Sequence, residues 1–273
     1  MQLLRSSPRQ LSLLLSTCLG FPRIFETYYF SRKRRIELLW HPRQLNVKAS
    51  RFHHQALLIG AGPSLTRFCA LPSSIESAYR NRFKLALNSS VFSTQSYDLC
   101  LFELTTNRMM RSSEISLFDQ KLHLRGASQE AKFVFTHFNL DSIDDHISRL
   151  VAPSTYLCPE TTVYLPPKRS IHYDIALRNY LRLHILLNRL SITPLAISIR
   201  SSAVRALLIL ISLGFKDIAM VGFDGGTDYY FQNRLAWPEL SDFANVYESV
   251  MSHPLGYESL EGGVKYYKKS HRN

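Results

Sequence analysis

Apolar runs in this chain are short, and each stops abruptly at glycine or polar residues. Ala56-Leu57-Leu58-Ile59 runs into Gly60-Ala61-Gly62-Pro63-Ser64, Phe83-Lys84-Leu85-Ala86-Leu87 into Asn88-Ser89-Ser90, and Tyr97 to Phe102 into Glu103. Ile218-Ala219-Met220-Val221-Gly222 likewise runs into Phe223-Asp224-Gly225-Gly226. Runs of this length without polar alternation predict strands buried on both faces, and Lys132-Phe133-Val134-Phe135 reads as a further one. Helices are predicted over 73–81, over 141–150 with Asp141 as cap, and over 173–190. Another is predicted from Ala203 to Leu213, capped by Ser201 and Ser202 and ended by Gly214. In the 173–190 helix the packing candidates are Ile175, Leu181, Leu183 and Leu186, with His172 and His184 as ordinary helix or boundary residues. Strands alternating with helices predict an α/β domain, a Rossmann-like open, mostly parallel sheet with helices on both faces.

Two stretches fall outside that pattern. Residues 1–54 read as an arm, helix-compatible at 9–20, aromatic and basic at 28–40, then loop-like at His41-Pro42-Arg43. Within it, the apolar run Leu11 to Phe21 is too short to span a bilayer and resembles an incomplete signal or an amphipathic entry segment. Val151 to Tyr173 contains Pro153, Pro159, Pro166 and Pro167, cannot be one regular element, and is expected to form a small lid over the site.

Composition is ordinary for a globular protein, at 45% hydrophobic and 20% charged over 273 residues, but the charge is unevenly placed. Residues 1–54 hold ten Lys and Arg against Glu26 and Glu37, a net of +8, and the tail 265–273 adds four bases and no acid. Since the whole chain carries +12, the body between is neutral. Basic ends on a neutral body predict attachment to an anionic membrane surface rather than a nucleic-acid groove, which would place charge on the folded face. Solvated tails that only aid solubility are the plainer alternative. Cys18, Cys69, Cys100 and Cys158 lie far apart with no C-x-x-C pair, so neither a zinc knuckle nor a disulfide framework is signalled. A reducing cytoplasm is the expected compartment, with the protein peripheral at the inner face of the membrane.

Candidate chemistry sits at the strand ends. Gly60 and Gly62 permit unusual backbone angles and close approach of a ligand to the main chain. Pro63 suits a first helical turn, and Ser64 can cap it, leaving amides for a phosphate. Position 65 is leucine where a dinucleotide fingerprint has its third glycine, so a purely structural turn is the competing reading. Asn88, Glu103 and Asp224 end strands and would face the crevice beyond the sheet's carboxyl edge, although an aspartate there can also simply hold a turn.

In this order, these blocks resemble the bacterial family-42 sialyltransferases. That family has a G-N-G-P-S-L loop, an asparagine at the end of its second strand, a T-S-G turn before a helix, L-G-Y/F-K-x-I leading into a strand, and G-x-D followed by tyrosines. The corresponding stretches are Gly60 to Leu65, Asn88, Ser201-Ser202-Ala203, Leu213 to Ile218, and Gly222-Phe223-Asp224 with Tyr229 and Tyr230. The resemblance covers about half the chain and implies a GT-A-like nucleotide-binding domain. It also implies transfer of a sialic-acid-like sugar from a CMP-activated donor to a cell-surface glycan acceptor by single displacement, without metal or added cofactor. The 60–65 loop (Gly60, Ala61, Gly62, Pro63, Ser64), Asn88, Glu103, Ser201, Ser202 and Asp224 would then bind the nucleotide sugar, and Tyr229 and Tyr230 would donate to the leaving phosphate.

The departures are equally specific. Ala61 stands where the family has its loop asparagine, and Glu103 where it has a second one. The family's S-H-x-x-G-H segment reads Ser252-His253-Pro254-Leu255-Gly256-Tyr257, so the aligned general base is Tyr257 and His253 is the alternative. Histidine, with an ordinary pKa of ~6.5, suits deprotonation of a hydroxyl better than tyrosine at ~10. Two other classes stay open: a pterin-pyrophosphokinase-like or flagellin-modifying relative, the former using Glu103 and Asp224 to hold magnesium, and a non-catalytic polysaccharide-assembly protein. Acceptor identity and oligomeric state, a homo-oligomer included, are not legible.

Overall fold

A computed structural model describes residues 37–39, 42–72, 79, 81–93, 97–103, 113, 116–117, 132–136, 155–158, 160–162, 173–189, 196–198, 201–225 and 228–252. The strands are β1 (Glu37–Leu38), β2 (Gln55–Ile59), β3 (Phe83–Leu87), β4 (Leu99–Glu103), β5 (Lys132–Thr136), β6 (Thr155–Leu157), β7 (Glu160–Thr162), β8 (Ala196–Ser198) and β9 (Asp217–Val221). The α-helices are α1 (Ser64–Cys69), α2 (Tyr173–Arg189), α3 (Ser202–Ser212) and α4 (Ser241–Ser252). Seven strands form one sheet in the order β1-β6-β5-β4-β3-β2-β9, every pair parallel, while β7 and β8 pair separately. The chain is an α/β protein built on a parallel sheet.

Side-chain alternation along each strand builds two cores. Ala56 and Leu58 of β2, Phe83, Leu85 and Leu87 of β3, and Leu99 and Leu101 of β4 face Ala206, Ile209, Leu210 and Leu213 of the α3 segment. Leu57, Ile59, Ala86, Cys100 and Phe102 point the other way, toward Leu65 of α1 and Phe243, Ala244 and Tyr247 of α4. Helices therefore cover both faces, which is why the strands read as continuous apolar runs.

The structure moves one predicted boundary. Residues 37–39 and 42–54 pack with the domain rather than lying in the arm: β1 pairs with β6, and Leu39, Leu45 and Ala49 are buried in the α3-side core. It also revises the lid. Thr155–Leu157 lies inside the main sheet between β1 and β5, and Glu160–Thr162 pairs with β8, so these parts of the Pro-rich passage are framework.

Helix α2 forms where predicted, and Leu181 packs against the Tyr180–Leu208 cluster as expected, but the rest of the inner face differs. Ile175 is 50% and Leu186 55% exposed, while Tyr180, His184 and Asn188, spaced at four, are buried. Tyr180 stacks on His184 and packs with Leu208 of α3. Burial raises the Tyr180 hydroxyl's pKa. The predicted helix at 141–150, most of that at 73–81, and the expectations for the first 36 residues and the 265–273 tail lie outside the described residues. No helix among the described residues is long and apolar enough to cross a membrane.

Candidate functional site

Parallel strands bring their carboxyl ends to one edge. Because β4, β3, β2 and β9 are neighbours in the sheet, Glu103, the turn at Asn88, the Gly60–Pro63 turn and the Gly222–Gly225 turn line up along it. The chain leaves β2 for β3 on one side, while β9 is added on the other, so the β2/β9 junction is the switch point at which open α/β sheets place ligands.

At that junction the two turns are bound directly to each other. The Gly60 amide donates to the Val221 carbonyl at 2.8 Å and the Gly62 amide to the Gly222 carbonyl at 2.8 Å. Ser64 takes part twice, its amide donating to Asp224 Oδ2 at 2.9 Å and its hydroxyl accepting from the Gly222 amide at 3.0 Å. Neither Gly60 nor Gly62 has a positive φ; among the described glycines those are Gly214, Gly222 and Gly225. What Gly60 and Gly62 supply is space. A Cβ on Gly60 would lie 2.5 Å from the Gly222 oxygen, and one on Gly62 would collide with Asp224 Oδ2. Contrary to the expectation from the sequence, the glycines admit the neighbouring turn, and the Gly60, Gly62 and Ser64 amides are occupied by protein acceptors. Nor does Ser64 cap its helix by side chain, since α1 begins at Ser64 behind Pro63 and the hydroxyl is engaged with Gly222.

The next turn is pinned in a similar way. Ser90 Oγ accepts from the Leu87 amide at 2.9 Å and donates to the Ile59 carbonyl at 2.8 Å, tying the end of β3 to the end of β2. Asn88 opens this turn at φ +52°, a left-handed conformation that asparagine tolerates better than most residues. Tyr230 spans both turns, its amide donating to the Ala61 carbonyl at 2.9 Å and its hydroxyl to the Ser89 carbonyl at 2.8 Å. The ring is buried, and that burial raises the hydroxyl pKa well above the tyrosine range. Tyr230 is therefore a strut in the core rather than a donor to a leaving phosphate. Tyr229 is half-buried, stacked on Phe231 at 5.2 Å and set edge-on to Tyr247 at 5.0 Å.

Ser201 and Ser202 reach the same edge by way of α3. This helix of 11 residues spans about 16 Å, much the same as a five-residue strand, and delivers the chain to the start of β9, where Asp217 pairs with Gln55. Its beginning therefore lies at the carboxyl-edge level. The exposed Ser201 caps it, Oγ accepting from the Val204 amide at 3.4 Å. One turn in, the sequence reading missed Arg205, which is 4% exposed. Burial pulls its guanidinium down to about 10. The signal was available: Arg205 falls on the stripe with Ala206, Ile209 and Leu210 that the helix buries.

Glu103 ends β4 and Asp224 follows β9, with β3 and β2 between, a separation of three strand spacings or about 14 Å. The Asp224 carboxylate is turned onto the Ser64 amide. His253 and Tyr257 lie outside the described residues, beyond Ser252 at the end of α4. Compared with known proteins, the chain matches no family model, no curated protein and no solved structure.

Proposed function

We propose that the chain is a glycosyltransferase that binds a CMP-activated, sialic-acid-like sugar at the carboxyl edge of a Rossmann-like, GT-A-like domain and transfers it to a glycan acceptor by single displacement. The observation that carries this reading is the convergence on one sheet edge of the motif-bearing segments: the 60–64 turn, Asn88, the start of α3 at Ser201-Ser202, and the Gly222–Asp224 turn. In this reading Asn88 and Ser202 hold the nucleotide. Tyr229 lies beside the leaving phosphate. His253 or Tyr257 takes the acceptor's proton, and hydrogen bonding supplies the electrostatic stabilisation of the departing charge.

A thermal-shift screen against CMP, CDP, ATP, UDP and GDP tests it, since a ligand selective for the native state raises apparent stability with concentration over Kd. Selective stabilisation by CMP is expected, and indifference to all five nucleotides would remove the reading. Where transfer is observed, kcat should rise with pH through one step near ~6.5 if His253 is the base, and His253→Ala should lower kcat by about 10²–10⁴-fold. Loss of activity in Tyr257→Phe with near-normal His253→Ala would reassign the base to Tyr257.

One observation favours a second reading, a non-catalytic polysaccharide-assembly protein on the same fold. Three of the loop amides that would meet a phosphate, those of Gly60, Gly62 and Ser64, are occupied by Val221, Gly222 and Asp224. Hydrolysis of a CMP-sugar above background separates the two, because only the enzyme turns the donor over.

A further inference from the structure

The 62–64 and 222–224 segments, about 160 residues apart in the chain, meet through a reciprocal pair of hydrogen bonds centred on Ser64. Ser64 gives its amide hydrogen to the Asp224 carboxylate and receives the Gly222 amide hydrogen on its hydroxyl. Gly62 leaves room for that carboxylate, and Gly222, at φ +76°, lies so close to the Gly60 carbonyl that a side chain there would strike it. From this geometry we propose that Ser64 and Asp224 form a clasp shutting the β2–α1 turn onto the end of β9, and that Asp224 is a positioning residue for the edge rather than a contact to its ligand. The ligand part rests on the nucleotide reading above; the clasp itself does not.

The two roles differ in what they require of residue 224. A clasp needs an acceptor for the Ser64 amide, which asparagine also provides, whereas a charge-dependent ligand contact needs the carboxylate. Amide hydrogen exchange at Ser64 and Gly222, followed by NMR on the full chain and paired with CMP titration, separates them. Asp224→Ala should speed exchange at Ser64 by about tenfold, the equivalent of one hydrogen bond, and weaken CMP binding, while Asp224→Asn keeps both close to wild type. Should Asp224→Ala fail to fold, Ser64→Ala is read instead through faster exchange at Gly222. Unchanged protection at both amides in the alanine variants would overturn the clasp. Loss of CMP binding in Asp224→Asn with protection intact would overturn the positioning role and make Asp224 a ligand contact. If the wild-type protein binds no CMP, the nucleotide reading fails, and the exchange rates alone decide the clasp.

Discussion

At the residue scale, the glycines show how one pattern serves two purposes. The sequence presents Gly60 and Gly62 as a ligand cradle, in which a larger residue would obstruct the ligand and spare the fold. In the structure, the atoms nearest an added Cβ at Gly62 are Asp224 Oδ2 and the Gly222 carbonyl. Gly62→Ala is therefore expected to lower unfolding stability by about 1–3 kcal/mol, the usual cost of overpacking, with nucleotide absent. Chemical denaturation measures it, and an unchanged midpoint would show that the turns are not in contact. Asn88 makes the contrasting case. Its φ of +52° suits glycine at least as well, so Asn88→Gly should keep the fold while Asn88→Ala loses about 1 kcal/mol of stability. If the asparagine amide holds the nucleotide, both variants lose CMP affinity, a pairing that backbone strain alone does not produce.

Elements were legible in proportion to their local signal. Strands β2, β3 and β5 fall within a residue of their apolar runs because burial on both faces leaves a continuous stretch bounded by breakers. Helix α3 was readable from Ser201 at one end and Gly214, at φ +93°, at the other. By contrast β1, with two residues, and β6, with three, are too short for a period to register, and their pairing joins segments more than a hundred residues apart. The inner face of α2 is legible only at Leu181, for a related reason. Tyr180, His184 and Asn188 are polar residues whose burial depends on packing that no local pattern reveals. Asp98, just before β4, makes a prediction at this scale. Its carboxylate accepts the Lys84 amide at 2.7 Å, but burial outweighs that bond and the nearby Lys84 charge and raises its pKa. A carboxyl with a raised folded-state pKa binds its proton more readily folded than unfolded, so this group favours folding more as pH drops from neutrality toward the ordinary carboxyl value. Asp98→Asn keeps an acceptor and removes the titration. The stability-against-pH curve of the variant should lack that component over the mildly acidic range, and superimposable curves would assign it elsewhere.

For the whole molecule, the revised boundary separates what attaches the protein from what folds it. Residues 1–36 carry Arg5, Arg9, Arg23, Arg32, Lys33, Arg34 and Arg35 against Glu26, a net of +6, and so hold most of the basic charge ahead of β2. The next eighteen residues contribute β1 and the buried Leu39, Leu45 and Ala49, which belong to the same α3-side core as Phe83 and Phe215. Removing one buried leucine typically costs about 2–5 kcal/mol, and domains are stable by only about 5–15 kcal/mol. A deletion of residues 1–54 should therefore unfold the domain, whereas deletion of 1–36 should leave its cooperative melting in place. The shorter deletion is then the informative one for attachment. It should reduce binding to anionic vesicles, and the binding that is lost should be the salt-sensitive part, because headgroup attraction is screened within about 10 Å at ~0.1 M salt. CMP binding should be unchanged in the same protein. Co-sedimentation with phosphatidylserine vesicles across a salt series measures the first effect and a CMP titration the second. Full vesicle binding after loss of 1–36 would move the membrane contact to the tail or the folded body, and cooperative folding after loss of 1–54 would return the boundary to residue 54.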